Sequence, residues 1–349
     1  GVRFDPLDDG LDETPWERPP SGKPKKARFE GKIPAQIKAV RAHQLFVEKA
    51  GLPAGLHVEI KRLAAFQNPE FYQKQAMRFS TSGTPRIICA AEEHAAHIAL
   101  PRGCEDDLSE LLLECGSALQ VDDQRNGGEP LEVEFQGHLT EIQQAAVEAL
   151  RLQDLGIFVA PPGTGKTVLG AYMTAMRGVS TLVLVHRKPL LDQWRAQLQN
   201  FLGLGKKDVG QIGGGKQKAT GRIDVAMIQS LANKEGVLDL VGTYGHVIVD
   251  ECHHAPAVSF ERVMREVKAR YVLGLTATPY RRDGLQRLLH FQCGPIRFQV
   301  HPKSQEAERP FANRLIIRET RFFAQGSIQD LYSALIADPY RNGMIIQDV

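Results

Sequence analysis

The sequence predicts an α/β fold: a parallel sheet flanked by helices, preceded by a smaller α/β unit. Three observations carry this prediction. Apolar runs recur as Gly156-Ile157-Phe158-Val159, Val247-Ile248-Val249 and Tyr271-Val272-Leu273-Gly274-Leu275, each ending in polar residues. Helical periodicity separates the runs, which is the pattern of a parallel sheet. The first run leads into Ala160-Pro161-Pro162-Gly163-Thr164-Gly165-Lys166-Thr167, a Gly-rich turn with a Lys-Thr pair opening a helix.

That turn has the form of a phosphate cradle. Its backbone N–H groups and the positive end of the new helix both favour an anion. Lys166 is positioned to reach the β- and γ-phosphates of a nucleotide and Thr167 to offer its hydroxyl to Mg²⁺. The first position is Ala160, where the usual pattern has Gly. The second run ends in Asp250-Glu251-Cys252-His253-His254. In open α/β sheets ligands bind at that edge. Asp250 is expected to hold Mg²⁺ through water, and Glu251 to polarise the water that attacks the γ-phosphate. The third run passes into Thr276-Ala277-Thr278-Pro279.

In motif order the chain resembles superfamily 2 helicases and translocases over roughly residues 131–300. The resemblance implies the first of two RecA-like domains, with ATP in the cleft between them and nucleic acid on the opposite rim. It implies a catalytic set of Lys166, Asp250, Glu251 and His253. Nucleotide would be bound by Pro162, Gly163, Thr164, Gly165, Lys166 and Thr167, with Gln143 reading adenine. Many relatives have Arg where this chain has Thr140. The stretches around His186-Arg187, Gly214-Gly215-Lys216 and Gln229-Ser230 resemble the family's nucleic-acid-contacting motifs. So do Arg281 and Arg282, in a segment closest to double-stranded DNA translocases of the XPB and UvsW type and to restriction-enzyme motor subunits. XPB-type proteins carry Arg-Glu-Asp where this chain has Arg281-Arg282-Asp283. Thr276 and Thr278 would couple the ATP site to the DNA track; their plain alternative is turn capping. Asn68-Pro69-Glu70-Phe71 through Arg102-Gly103-Cys104 resembles the helicase part of primase–helicase fusions from TOTE conflict systems.

Composition sets outer limits. The 349 residues allow two or three domains, and 43 basic against 41 acidic residues give a net charge of +2. A translocase needs a local basic track rather than a basic whole. No apolar run is long enough for a membrane span, and five scattered cysteines without C-x-x-C spacing fit reduced thiols in a cytoplasmic protein. Cys252-His253-His254 lacks the partner pair of a zinc site.

Four regions are expected. Residues 1–31, rich in Pro and Lys, read as a flexible linker in which Lys23, Lys25, Lys26 and Arg28 could touch phosphates. Residues 32–130 read as an accessory, DNA-engaging α/β domain. It has a helix over 33–50, a second near 69–78 opened by Asn68-Pro69, a β pair of 86–90 with 97–100, a helix over 106–115 and a turn over 122–128. Residues 131–305 read as the first motor domain, in which Trp194 is expected to be half-buried packing. Residues 306–349, with strands at 315–317 and 322–323, read as the start of a truncated second motor domain. The family's cross-domain arginines are absent from this length of chain, so weak hydrolysis by the chain alone is expected.

The functional expectation is ATP-dependent movement on DNA, double-stranded or forked, with RNA left open. The missing second motor half is an expected partner, and a primase or nuclease domain in the full-length protein is a further one. Two alternatives stay open: a motor subunit of a restriction-type nuclease, and a non-catalytic duplex-binding module switched by ATP.

Overall fold

Period-two burial, not helical periodicity, governs the start of the accessory unit. In this computed structural model, which describes residues 32–232, 236–252, 257–278, 284–300, 317–320 and 322–348, a hairpin replaces the helix expected over 33–50. It consists of β1 (Gln36–Arg41) and β2 (Leu45–Glu48), paired antiparallel with Ala39 opposite Val47. Ile37 and Ala39 on one strand, and Leu45 and Val47 on the other, are buried in alternation. The β-branched Ile37, Val40 and Val47 fit a pleated surface better than a helix. Spacing alone could not separate the two readings, because Ile37, Val40 and Leu45 also fall near one helical face.

An unforeseen helix, α1 (Ala54–Leu63), buries Leu56 and Ile60. Then come β3 (Ala65–Gln67) and α2 (Pro69–Ala76). The α2 start matches expectation: Asn68 Oδ1 accepts from the Glu70 N–H at 3.1 Å, and Pro69 occupies the first turn. The strands β4 (Ile87–Cys89) and β6 (His97–Leu100) do not pair with each other, contrary to expectation. β4 pairs with β3, while β6 pairs with β2 and with β5 (Glu92–Glu93). The Ala90 N–H bonds to the Ala64 carbonyl, which ties β4 to the end of α1. Helix α3 (Glu105–Glu114) leads to β7 (Ala118–Asp123). β7 lies parallel to β1 with Arg41 opposite Asp123, so the expected turn over 122–128 begins two residues later. The five-stranded order is β5-β6-β2-β1-β7.

The larger sheet and its helices follow the alternation read from sequence. Its elements are α4 (Glu141–Arg151), β8 (Leu155–Val159), α5 (Lys166–Arg177), β9 (Thr181–Val185), α6 (Lys188–Phe201), β10 (Val209–Gly213), β11 (Lys216–Lys218), β12 (Ile223–Met227), α7 (Ile228–Leu231), β13 (His246–Asp250), α8 (Ala257–Glu266), β14 (Tyr271–Thr276), α9 (Gln286–Cys293) and β15 (Ile296–Gln299). The sheet order is β11-β10-β12-β9-β13-β14-β8-β15. All neighbours are parallel except β10 and β11. Both faces are covered over the central strands, which are largely apolar: Phe158 faces one core, with Leu169 and Leu275, while Ile157 and Val159 face the other, with Phe260.

The five-stranded and the eight-stranded sheets share one compact unit among the described residues up to 300. Leu288 and Phe291 of α9 belong to the accessory core. Buried Arg102 donates to the carbonyls of Met264 (2.8 Å) and Val267 (2.7 Å), at the C-terminal end of α8, and to His43. A cation there suits the negative end of the helix. Gly103 lies so close to α9 that a Cβ would overlap the His290 carbonyl.

The second unit, over the described residues 317–348, holds α10 (Ile328–Ala337) and α11 (Pro339–Asp348). Ser327 and Asp330 form a capping box at the start of α10. Residue 317 and residues 322–323 are irregular rather than the strands expected; 315 and 316 lie outside the described residues. So do the linker expected over 1–31, His253, His254, and the segment with Arg281 and Arg282.

Candidate nucleotide and nucleic-acid sites on one sheet edge

The first side chains to converge come from β8 and β13. The turn after β8 uses two glycines in the left-handed region, Gly163 at φ 85° and Gly165 at φ 82°. Gly165 is also the N-cap of α5, and a Cβ there would overlap the Gln143 amide. No side chain caps α5, which leaves its first N–H groups for an anion. Lys166 Nζ donates to the Ala160 carbonyl at 3.1 Å and lies 3.4 Å from Glu251 Oε1. Thr167 follows on the same turn; Thr164 Oγ1 donates to the Pro161 carbonyl at 2.8 Å, and Pro162 is exposed. The Ala160 methyl is buried without displacing the turn, so the departure at that position is accommodated.

Gln143 has a dual attachment. Its Oε1 accepts from the Thr140 N–H at 3.0 Å, completing a capping box for α4. Its Nε2 donates to the Thr164 carbonyl at 2.9 Å. The residue placed by resemblance at the base thus also braces the phosphate turn.

On β13, Asp250 is 5% exposed. Its Oδ2 accepts from the Trp194 indole at 2.7 Å and its Oδ1 from the Glu251 N–H at 3.0 Å. Burial pushes the Asp250 carboxyl above the usual range, and the Trp194 bond pulls the other way. Glu251 has φ 46°, a left-handed backbone that non-glycine residues adopt at a cost of about 1–3 kcal/mol. That bend turns its carboxylate towards both Lys166 and the Ala277 N–H, which donates to Oε2 at 3.4 Å. At the end of β14 the Thr276 hydroxyl donates to the Thr278 carbonyl at 2.7 Å and accepts from the Thr278 N–H at 3.3 Å.

The same edge continues across β9, β12 and β10. Arg187 is the N-cap residue of α6 and is exposed; Gln229 Nε2 donates to the His186 carbonyl at 3.2 Å. Gly213 leaves room for the Ser230 hydroxyl, since a Cβ there would lie 2.6 Å from it. Gly214 faces the stem of Lys188, and Lys216 is exposed on β11. His186, Arg187, Gly214, Lys216, Gln229 and Ser230 thus share one half of the edge, and the P-loop, Asp250 and Thr276 share the other. Two participants escaped the sequence reading. Lys188 adds a cation to this half. Trp194 is fully buried rather than half-buried; its place on the Leu191–Leu198 face of α6 signalled burial, and a buried indole needs an acceptor.

A parallel sheet with a glycine-rich phosphate turn and an Asp-Glu pair on the next strand but one defines a P-loop nucleotidase domain. Residues 136–281 match the family model described as "Type III restriction enzyme, res subunit". Among relatives, the "DNA 3'-5' translocase XPB2" of Sulfurisphaera tokodaii is 33% identical over 168 residues, 48% of this chain and 36% of that protein. The "DNA 3'-5' helicase XPB" of Kineococcus radiotolerans is 33% identical over 176 residues, 49% of this chain and 31% of that protein. The chain thus spans about a third of the length of these relatives. The solved UvsW helicase of bacteriophage T4 shares the fold, with a TM-score of 0.58 at 14% identity, covering 75% of this chain and 99% of that one. Over residues 136–281 the chain is thus similar to this restriction-enzyme subunit family and to XPB-type DNA helicases and translocases, and its fold is that of the UvsW helicase.

Proposed function

We propose that the protein is an ATP-dependent DNA helicase or translocase, in which nucleotide hydrolysis drives movement on nucleic acid. The observation that carries this reading is the meeting of Lys166 and Glu251, 3.4 Å apart, beside Asp250 at the edge of one sheet. Lys166 binds the terminal phosphates, and Glu251 accepts a proton from the attacking water. The N–H groups at the start of α5 hold phosphate oxygens in place. Gln143 meets the base while holding the phosphate turn.

The donor set fits Mg²⁺. Thr167 and Asp250 offer hard oxygen atoms, and both Asp250 oxygens already accept hydrogen bonds, which suits contact through water. No group of three or more His, Cys, Asp or Glu side chains that could hold a metal ion occurs among the described residues. The ion, when bound, neutralises charge developing on the transferred phosphoryl group.

On the other half of the edge, Arg187, Lys188, Lys216, Gln229 and Ser230 contact the nucleic-acid backbone, fixing register without reading sequence. Thr276 and Thr278 connect the halves, and their mutual hydrogen bonds hold that turn ready. His253, Arg281 and Arg282 keep the roles implied by resemblance. The match to a restriction-enzyme subunit model favours one second reading, a motor that serves a nuclease. Nuclease assay of the full-length protein on circular DNA distinguishes it.

Two substitutions test the main proposal. Lys166→Ala should weaken nucleotide binding. Glu251→Gln should retain binding but lower turnover by about 10²–10⁴-fold. Unchanged nucleotide affinity in Lys166→Ala would overturn the site.

A further inference from the structure

The nucleotide half and the nucleic-acid half of the edge meet between β9 and β13, and one side chain crosses that boundary. Trp194 belongs to α6, whose N-terminus carries Arg187 and Lys188. Its indole reaches Asp250, on the neighbouring strand, at 2.7 Å. It also presses on α5, the helix that follows the phosphate turn: a Cβ on Gly170 would lie 2.5 Å from Trp194 Cη2. Bulk alone would be met by any large apolar residue. A buried N–H has to find an acceptor, and here the acceptor is the carboxylate assigned to magnesium.

The two oxygens of Asp250 are held by different elements, Oδ1 by the backbone of its own loop and Oδ2 by α6. The carboxylate plane therefore follows the position of α6. That helix is stiff and spans about 10 Å between Arg187 and Trp194 at 1.5 Å per residue. It is fastened to the sheet on one side by Arg195, which donates to the Val209 carbonyl at 3.1 Å and to Gln211 Oε1 at 3.0 Å. A displacement at its free N-terminus is carried to the indole rather than absorbed between them.

We propose that Trp194 is a positioning residue that carries the seating of nucleic acid at the start of α6 to Asp250, and so sets how firmly magnesium and nucleotide are held. This rests on the motor reading given above.

The test compares the full protein with Trp194→Phe, which removes the donor and keeps an aromatic ring. Stimulation of ATP turnover by a random-sequence DNA duplex should fall about tenfold, and the magnesium concentration for half-maximal turnover should rise severalfold, as for loss of a partner that orients a metal ligand. Gly170→Ala, which pushes the indole without deleting it, should shift both quantities in the same direction. A third readout needs no change at the site. The chain's only other tryptophan is Trp16. In the 349-residue chain with Trp16→Phe, emission from Trp194 should respond to the DNA duplex alone and, separately, to magnesium and ADP. Unchanged stimulation and magnesium requirement in a folded Trp194→Phe protein would overturn the proposal. So would Trp194 emission that responds to nucleotide but not to DNA. Failure of the motor reading shows elsewhere, as Lys166→Ala protein with undiminished nucleotide affinity.

Discussion

At the scale of single residues, the candidate site divides into what chain order reveals and what only folding brings together. Lys166, Thr167, Asp250 and Glu251 are legible because each stands directly after an apolar strand or the turn that follows it, and parallel strands deliver their C-terminal ends to one edge. The Trp194–Asp250 bond, between residues 56 apart, leaves no local trace. Nor does the bond from Gln143 to Thr164, between residues 21 apart. His246 supplies a prediction of this scale. It opens β13 fully buried, edge-on to Tyr271, and burial holds its pKa down to about 3. An unfolded histidine titrates near 6.5. Between these values the unfolded chain binds more protons than the folded one, so stability falls as pH drops through that window and is fully present above it. The loss should reach about 2 kcal/mol by pH 5. Urea midpoints at pH 7.5 and pH 5 measure it, and His246→Gln should flatten the difference.

Elements are legible where length and alternation agree, and obscure where segments are short. In the eight-stranded sheet, β8, β13 and β14 fall on the three apolar runs read from the sequence, because a buried parallel strand and the helix after it differ in both length and period. In the accessory unit β1, β2, β4 and β6 have six residues or fewer, and pairing there is chosen by tertiary packing. The Pro101-Arg102-Gly103 turn shows how one element can be built for another. Arg102 closes the end of α8, the helix that follows the Asp250–Glu251 strand, from across the seam between the five-stranded and eight-stranded sheets. Arg102→Ala should cost about 3 kcal/mol, since it removes charge-assisted bonds and leaves buried carbonyls unpaired. Gly103→Ala, with no room against α9, should destabilise as well. Chemical denaturation of the whole chain tests both; a midpoint unchanged in Arg102→Ala would show this closure to be dispensable.

For the molecule as a whole, a net charge of +2 hides a local arrangement. Arg187, Lys188 and Lys216 lie on the half of the edge away from the phosphate turn, so DNA affinity should depend on salt more strongly than overall charge suggests. Replacing all three by Ala should lower the slope of log affinity against log salt by about 2–3, at about 0.9 for each phosphate no longer neutralised. Duplex binding at several salt concentrations measures it; an unchanged slope would place the track elsewhere. No helix among the described residues is long and apolar enough to cross a membrane. The shut seam around Gly103 has a mechanical consequence. With no space there for even a methyl group, the turn that carries Arg102 is packed directly onto α9. A load applied to either is borne by both, so a handle attached to the small sheet in a force experiment reports the displacement of the large one.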